Sequence, residues 1–333
     1  MSAVIAILGA GSWGNALALQ LARNGHQARL WGHNAAHIEQ LQQARENRRY
    51  LPGIAFPDNL TVWSDLETAL RQAETVLVVV PSHAYSEMLT RLRPYLAAST
   101  ALAWATKGLA HGSAEFLHQV TMRIIGGERP LAVVSGPSFA REVAAGLPTA
   151  ITVASTDHDY AQKLAALLHG PTMRAYTSND IIGVEIGGAV KNVLAIAAGI
   201  ADGLGFGANA RAALITRGLA EMVRLGTTVG GRPETFMGLT GVGDLVLTCT
   251  DDQSRNRRLG LAIGQGQPPA EAVKMIGQVV EGAVAAKEIL RLARQKSVEM
   301  PIVEQVNQIL YYQQDPRLAV EALLARQIKS ESE

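Results

Sequence analysis

Apolar positions along this chain follow two different rhythms. Up to about residue 178 they come as short, β-rich runs separated by amphipathic stretches. Residues 4–8, 27–31, 75–80, 101–105, 131–134 and 150–153 predict strands on this pattern. The run from Thr75 to Val80 is continuous rather than alternating, as expected of a strand covered on both faces in a parallel sheet. Between the runs lie helical patterns such as 16–24, closed by Gly25 where a C-terminal cap belongs. Strand, helix, strand in succession predicts a doubly wound α/β unit.

From residue 180 the period is helical. Asn179 or Asp180 is placed to cap a long helix running through Ile186, Val190, Val193 and Ala197. Further helices are expected at 210–225, 257–264, 283–295 and 303–311, with no convincing strand. The change of period divides the chain into 1–179 and 180–333, and only a few polar residues follow Lys329.

Composition narrows the class. The chain has 333 residues, 48% hydrophobic and 18% charged, which excludes a disordered chain. A formal net charge of +1 excludes a general nucleic-acid binder, which needs a basic excess to neutralise phosphates. The single cysteine, Cys249, cannot close an internal disulfide, offers no cysteine metal cage, and reads as core packing. No basic leader precedes the apolar N-terminus, and runs such as 193–201 fall short of a membrane span of roughly 18 residues. These features point to a cytoplasmic protein without membrane insertion.

Gly9-Ala-Gly11-Ser12-Trp13-Gly14 follows a predicted strand and opens a predicted helix. A dinucleotide pyrophosphate needs a tight turn, a backbone free of Cβ at closest approach, and unpaired N–H groups at a helix start. The unit is therefore expected to be a Rossmann domain. NAD-selecting sheets carry an acid at the end of the second strand, but Trp31-Gly-His33-Asn34 has none before Glu39. NADPH is then accepted, with His33 either a donor to the 2′-phosphate or a solvated loop residue.

Lys107 follows an apolar run and is either a ligand contact at the sheet's carboxyl edge or a loop charge; Ser135-Gly136-Pro-Ser138 is a second turn after a strand. Lys191 sits among small and apolar residues with no carboxylate three or four positions away. Buried without a partner, its ammonium would become a better acid, suited to protonating an alkoxide; at a helix edge it would snorkel instead. Asp244, in Gly243-Asp244, is either its companion or a helix cap. Arg255, Arg257 and Arg258 crowd a helix start whose dipole favours negative charge. A bound anion would resolve that conflict, as would pairing with Asp251 or Asp252.

Taken together these motifs resemble the bacterial type of NAD(P)-dependent glycerol-3-phosphate dehydrogenase over nearly the whole chain. The most specific match is the run from Gly188 to Asn209, with Ala-Thr-Lys-Gly at Lys107, Ser-Arg-Asn-Arg-Arg from Ser254 and Val-Val-Glu-Gly from Val279. Asn15 departs from the small hydroxyl residue usual there. The resemblance implies reduction of dihydroxyacetone phosphate to sn-glycerol 3-phosphate, a phospholipid precursor, by NADPH or NADH without a metal. It implies a helical second domain similar to that of 6-phosphogluconate dehydrogenase, and a homodimer. It assigns Ser12, Trp13, His33, Lys107, Ala140, Arg255, Val279 and Glu281 to the cofactor, beside Gly9, Gly11 and Gly14. Lys107, Gly136, Ser138, Lys191, Asp244, Ser254, Arg255 and Asn256 fall to the substrate, and among them Lys191, with Asp244 beside it, to catalysis, Lys191 as the proton donor and acceptor. A β-hydroxyacid or ketopantoate reductase would share the glycine motif and a helical lysine without needing the arginines; a nucleotide sensor would need no lysine at all.

Overall fold

The computed structural model describes residues 2–327, so the polar tail after Lys329 lies outside the described residues. Ten strands form: β1 (Val4–Leu8), β2 (Gln27–Trp31), β3 (Glu46–Asn47), β4 (Leu51–Ala55), β5 (Leu60–Trp63), β6 (Thr75–Val78), β7 (Ala101–Trp104), β8 (Leu131–Ser135), β9 (Thr149–Ser155) and β10 (Met173–Ser178). Eight of them make one sheet in the order β10-β9-β8-β7-β6-β1-β2-β5, and β3 pairs with β4 apart from it. Neighbours run parallel except β8 and β9, which are antiparallel.

All six expected strands are present. β5 and β10 were not expected, and they are the two edges of the sheet. An edge strand buries one face at most: in β10 only Met173 is buried, so no apolar run marks it. Strand β4 contains Pro52 and Gly53, which argue against a strand in sequence but are tolerated in an isolated hairpin.

Strand order reverses between β1 and β6, and the glycine turn lies at that switch point. Gly9 has φ +130°, and a Cβ there would overlap the Val79 carbonyl at the end of β6. A Cβ on Gly14 would overlap the Gly9 carbonyl, so the helix Ser12–Arg23 packs directly on the turn that precedes it. Asn15 ties the same turn down, its Nδ2 donating to the Gly11 carbonyl at 2.7 Å.

After β10 the described residues are helical. Asp180 caps the helix Ile181–Gly203 by accepting from the Gly183 N–H at 2.8 Å. That helix is long and apolar enough to cross a membrane, contrary to the expectation from its shorter apolar run, but 94% of its most apolar window is buried within the protein. Scattered Gly and Ala keep it apolar beyond the run that pattern alone picks out. The helix Arg255–Gly264 crosses it in backbone contact: a Cβ on Gly199 would overlap the Arg257 carbonyl, and one on Gly260 the Ile196 carbonyl. The helix Glu281–Gln295 approaches equally closely where Gly282 meets the Asn192 carbonyl. The central helix is also fixed to the sheet, because Glu185 accepts from the Trp104 indole at 3.1 Å and from the His118 N–H at 3.0 Å.

Candidate active site

The carboxyl ends of β1, β2, β6 and β7 face the central helix and the helix Arg255–Gly264 across a cleft of about 1370 Å³. Eight lysines and arginines line it, against two carboxylates, Glu87 and Glu281. A chain of net charge +1 thus sets eight of its thirty cations against two carboxylates on one concave wall. Such a wall focuses field lines and attracts anions.

At the floor lies Lys191, 6% exposed. Its Nζ donates to Asp244 Oδ1 at 2.5 Å and to Thr248 Oγ1 at 2.9 Å. The expectation of a lysine without a partner is therefore corrected: the partner is 53 residues away in sequence and packed beside it in space. Asp244, 1% exposed, is shared with a second cation, since Lys107 Nζ donates to its Oδ2 at 2.7 Å and to the Gly136 carbonyl at 3.1 Å. Burial still prevails at Lys191. It lowers the ammonium pKa to about 8, with Asp244 pulling upward and Lys107 downward. For Asp244, burial alone would raise the pKa, but the two ammonium groups together outweigh it and hold the carboxyl below its usual range.

Asp244 is the first residue of the helix Asp244–Thr250, and its side chain points at the lysines rather than capping the helix. Thr248, one turn later, falls on the same face. It donates to the Asp244 carbonyl at 2.6 Å while accepting from Lys191. Neither Gly136 nor Asp244 lines the cleft wall; both stand behind the lysines, Gly136 accepting from Lys107 and Asp244 from Lys107 and Lys191. Ser138 does line the wall, its hydroxyl donating to the Gly136 carbonyl at 2.9 Å.

The three arginines divide. Arg257 turns away into Asp202, at 2.6 Å, and Asp252, so part of the cluster is structural pairing. Arg255 and Arg258 remain on the cleft wall. The helix begins two residues earlier than expected because Ser254 caps it, accepting from the Arg257 N–H at 3.2 Å. Asn256 holds three helices in register: it donates to Asn192 Oδ1 at 2.8 Å and accepts from the Gly282 N–H at 2.9 Å.

The residues present fit a dinucleotide. No side chain caps the start of the Ser12–Arg23 helix, and the space around a Cβ on Gly11 is open for 4 Å, so that glycine faces the cleft and not the packed turn. Ser12, Trp13, His33 and Ala140 line the same wall, with Val279 and Glu281 opposite. Glu281 bridges the two halves of the molecule by accepting from the Ser82 hydroxyl at 2.7 Å and its N–H at 3.2 Å. Burial pushes the Glu281 carboxyl above its usual range, and those two bonds offset only part of that rise. Among the described residues no group of three or more His, Cys, Asp or Glu side chains is spaced to hold a metal. Cys249 is fully buried, and burial pushes its thiol up to about 12.

Sequence reading missed Thr248, Ser82, Arg49, Tyr50 and Gln278, all polar groups of the cleft or its seam. Thr248 carried a signal, standing four positions after Asp244. Ser82 and Gln278 carried none, because their partners come from remote segments: Gln278 accepts from Arg255 at 3.3 Å.

A glycine turn at the switch point of a parallel sheet, facing a buried lysine on an all-helical half, defines a two-domain dinucleotide-dependent dehydrogenase. Comparison with known proteins makes the class specific. The N-terminal model of NAD-dependent glycerol-3-phosphate dehydrogenase matches residues 4–161 and the C-terminal model residues 180–321. The chain is 54% identical to the glycerol-3-phosphate dehydrogenase [NAD(P)+] of Pseudoalteromonas translucida over 331 residues, covering 99% of each. It is 56% identical to that of Yersinia pestis, covering 99% of this chain and 97% of the other. The crystal structure of glycerol-3-phosphate dehydrogenase from Coxiella burnetii superposes with a TM-score of 0.95 at 51% identity, over 98% of this chain and 99% of that one. The chain belongs to the family of NAD-dependent glycerol-3-phosphate dehydrogenases, and it is an oxidoreductase.

Proposed function

We propose that this enzyme reversibly reduces the C2 carbonyl of dihydroxyacetone phosphate to sn-glycerol 3-phosphate, using NADPH or NADH held at the glycine turn. The observation that carries this reading is Lys191, buried on the cleft floor with a pKa lowered to about 8. Bound dihydronicotinamide supplies the hydride. Everything else falls to the chain. As hydride adds to C2, the carbonyl oxygen gains negative charge and takes a proton from Lys191 Nζ, leaving a neutral amine. An ammonium has three N–H bonds. Asp244 and Thr248 engage two of them, leaving the third for the substrate oxygen. Lys107 keeps Asp244 ionised, so the carboxylate positions Lys191 instead of drawing off its proton.

The substrate's phosphate matches the other end of the floor, where Arg255 and the cleft-facing start of its helix offer a planar fork and a favourable dipole. The absence of an acid after β2 supports acceptance of NADPH. Homodimer formation, cytoplasmic placement and supply of the glycerophospholipid backbone rest on the family resemblance, and sedimentation of the purified chain tests the first of these. The assay for the reaction is loss of NADPH absorbance with dihydroxyacetone phosphate, set against unphosphorylated dihydroxyacetone. Only the phosphate ester should support rapid turnover. Arg255→Ala should raise KM for it by about tenfold to a hundredfold, the worth of a charge-assisted bond. Unchanged KM in that variant would remove the phosphate assignment.

A further inference from the structure

Lys107 reaches Asp244 from a segment that the helical half holds at both ends, and the carboxylates that hold it stand outside the cleft. Glu185, buried on the central helix, grips Trp104, the last residue of β7, and His118, near the start of the helix Leu117–Ile125. Its Oε1 accepts from the Trp104 indole at 3.1 Å and from the His118 N–H at 3.0 Å, and its Oε2 lies 2.6 Å from His118 Nδ1. Within the segment, Glu288 of the helix Glu281–Gln295 accepts from the Gly112 N–H at 2.9 Å, and Arg291 donates to the Gly112 carbonyl. None of Glu185, Trp104, His118 and Glu288 lines the cleft, whereas Ala105, Thr106 and Lys107, directly after Trp104, all do.

Lys107 and Lys191 share the Asp244 carboxylate, yet they belong to different halves. Their separation is therefore set by how the end of β7 sits against the central helix. Glu185 precedes Lys191 by six positions on that helix, about 9 Å along a rigid axis. Trp104 precedes Lys107 by three. The Lys107 stem runs past bare helix backbone, since a Cβ on Gly188 would stand 3.5 Å from Lys107 Cγ. Apolar packing presses helix on sheet without specifying their offset, because it is non-directional. Three directed contacts to one carboxylate specify it. Burial pushes the Glu185 carboxyl above its usual range, and the bonds from His118 and Trp104 offset part of that rise. Its titratable neighbours are His118 and Tyr85, whose hydroxyl is bonded to Thr121 at 2.8 Å. Among the described residues those of Lys191 are Lys107, Asp244 and Cys249. Glu185 is not one of these, so its effect on Lys191 runs through the placement of Lys107.

We propose that Glu185 is a positioning residue for the reaction: by fixing the end of β7 against the central helix, it sets where the Lys107 ammonium stands beside Asp244 and Lys191. The inference rests on the reading of Lys191 as the proton donor.

The pH profile of kcat/KM for dihydroxyacetone phosphate reduction tests it, measured on the full chain, with the fold of each variant followed by circular dichroism. Lys107→Met should move the falling limb to higher pH, since Lys107 lowers the Lys191 pKa. Glu185→Leu removes all three contacts at similar volume. It should move the limb the same way by about half a pH unit, with kcat lowered about tenfold. Glu185→Gln keeps an oxygen for Trp104 and for the His118 N–H, and should leave the limb within about 0.2 pH units of the parent's. In a Lys107→Met background Glu185→Leu should move the limb no further, because the group it positions is gone. Trp104→Phe keeps a ring, loses one bond, and should shift the limb in the same direction by less; it replaces Glu185→Leu if that protein does not fold. A limb that stays in place in Glu185→Leu, or in Trp104→Phe where it stands in, overturns the inference. So does an equal shift with and without the Lys107 side chain, or a Gln variant that shifts as far as the Leu variant. If Lys107→Met moves the limb and these variants do not, only the role of Glu185 falls. If Lys107→Met leaves it in place, the limb does not belong to Lys191, and the proton-donor reading falls with the inference.

Discussion

In the proposed reaction Lys191 is the proton donor, and its environment predicts a pH profile of definite sign. Reduction needs the ammonium, so kcat/KM for dihydroxyacetone phosphate should be level below about pH 8 and fall above it. Oxidation of glycerol 3-phosphate needs the neutral amine and should rise toward the same pH and level off beyond it. Asp244 raises that pKa and Lys107 lowers it. Asp244→Asn should therefore move both limbs to lower pH, and Lys107→Met should move them to higher pH. If Asp244→Asn and Lys107→Met both moved the limbs to the same side of the parent's, the arrangement would be contradicted. The lysine was legible in sequence because small apolar neighbours surround it without an acid. Asp244 was legible only as a companion or a helix cap, since no local spacing relates residues brought together by two different helices. Arg257 shows the opposite limit: sequence reading grouped it with Arg255, and Asp202, 55 residues away, separates them.

The elements succeed by backbone contact. Gly199 and Gly260 let two helices touch, and that contact sets Arg255 beside the Lys191 helix. Gly199→Val should push the helices apart, costing about 2 kcal/mol in urea unfolding. It should also raise KM for the phosphorylated substrate more than it lowers kcat, because Arg255 moves and Lys191 keeps its own partners. A variant of parental stability and KM would show that the contact is incidental. The buried interior strands and the capped central helix were readable from continuous apolar runs and from Asp180. The edge strands β5 and β10 were not, because half-exposed strands leave a weak pattern that tertiary pairing completes.

Across the whole molecule, charge is distributed in a way that composition conceals. Thirty basic and 29 acidic residues nearly cancel, yet the cleft holds eight cations and two carboxylates. Raising salt from about 0.05 to 0.5 M shortens the screening length several-fold. It should raise KM for both NADPH and dihydroxyacetone phosphate with little change in kcat; a salt-independent KM would contradict the electrostatic account. Glu281 and Ser82 close one end of this cleft, which joins the halves without covering the Lys191 floor. The account as a whole rests on one proton passing between Lys191 and the substrate oxygen. Lys191→Met tests it directly, with turnover and NADPH affinity measured on the same preparation. Turnover should fall by about a thousandfold with NADPH affinity nearly unchanged, whereas turnover within about tenfold of the parent would contradict the assignment.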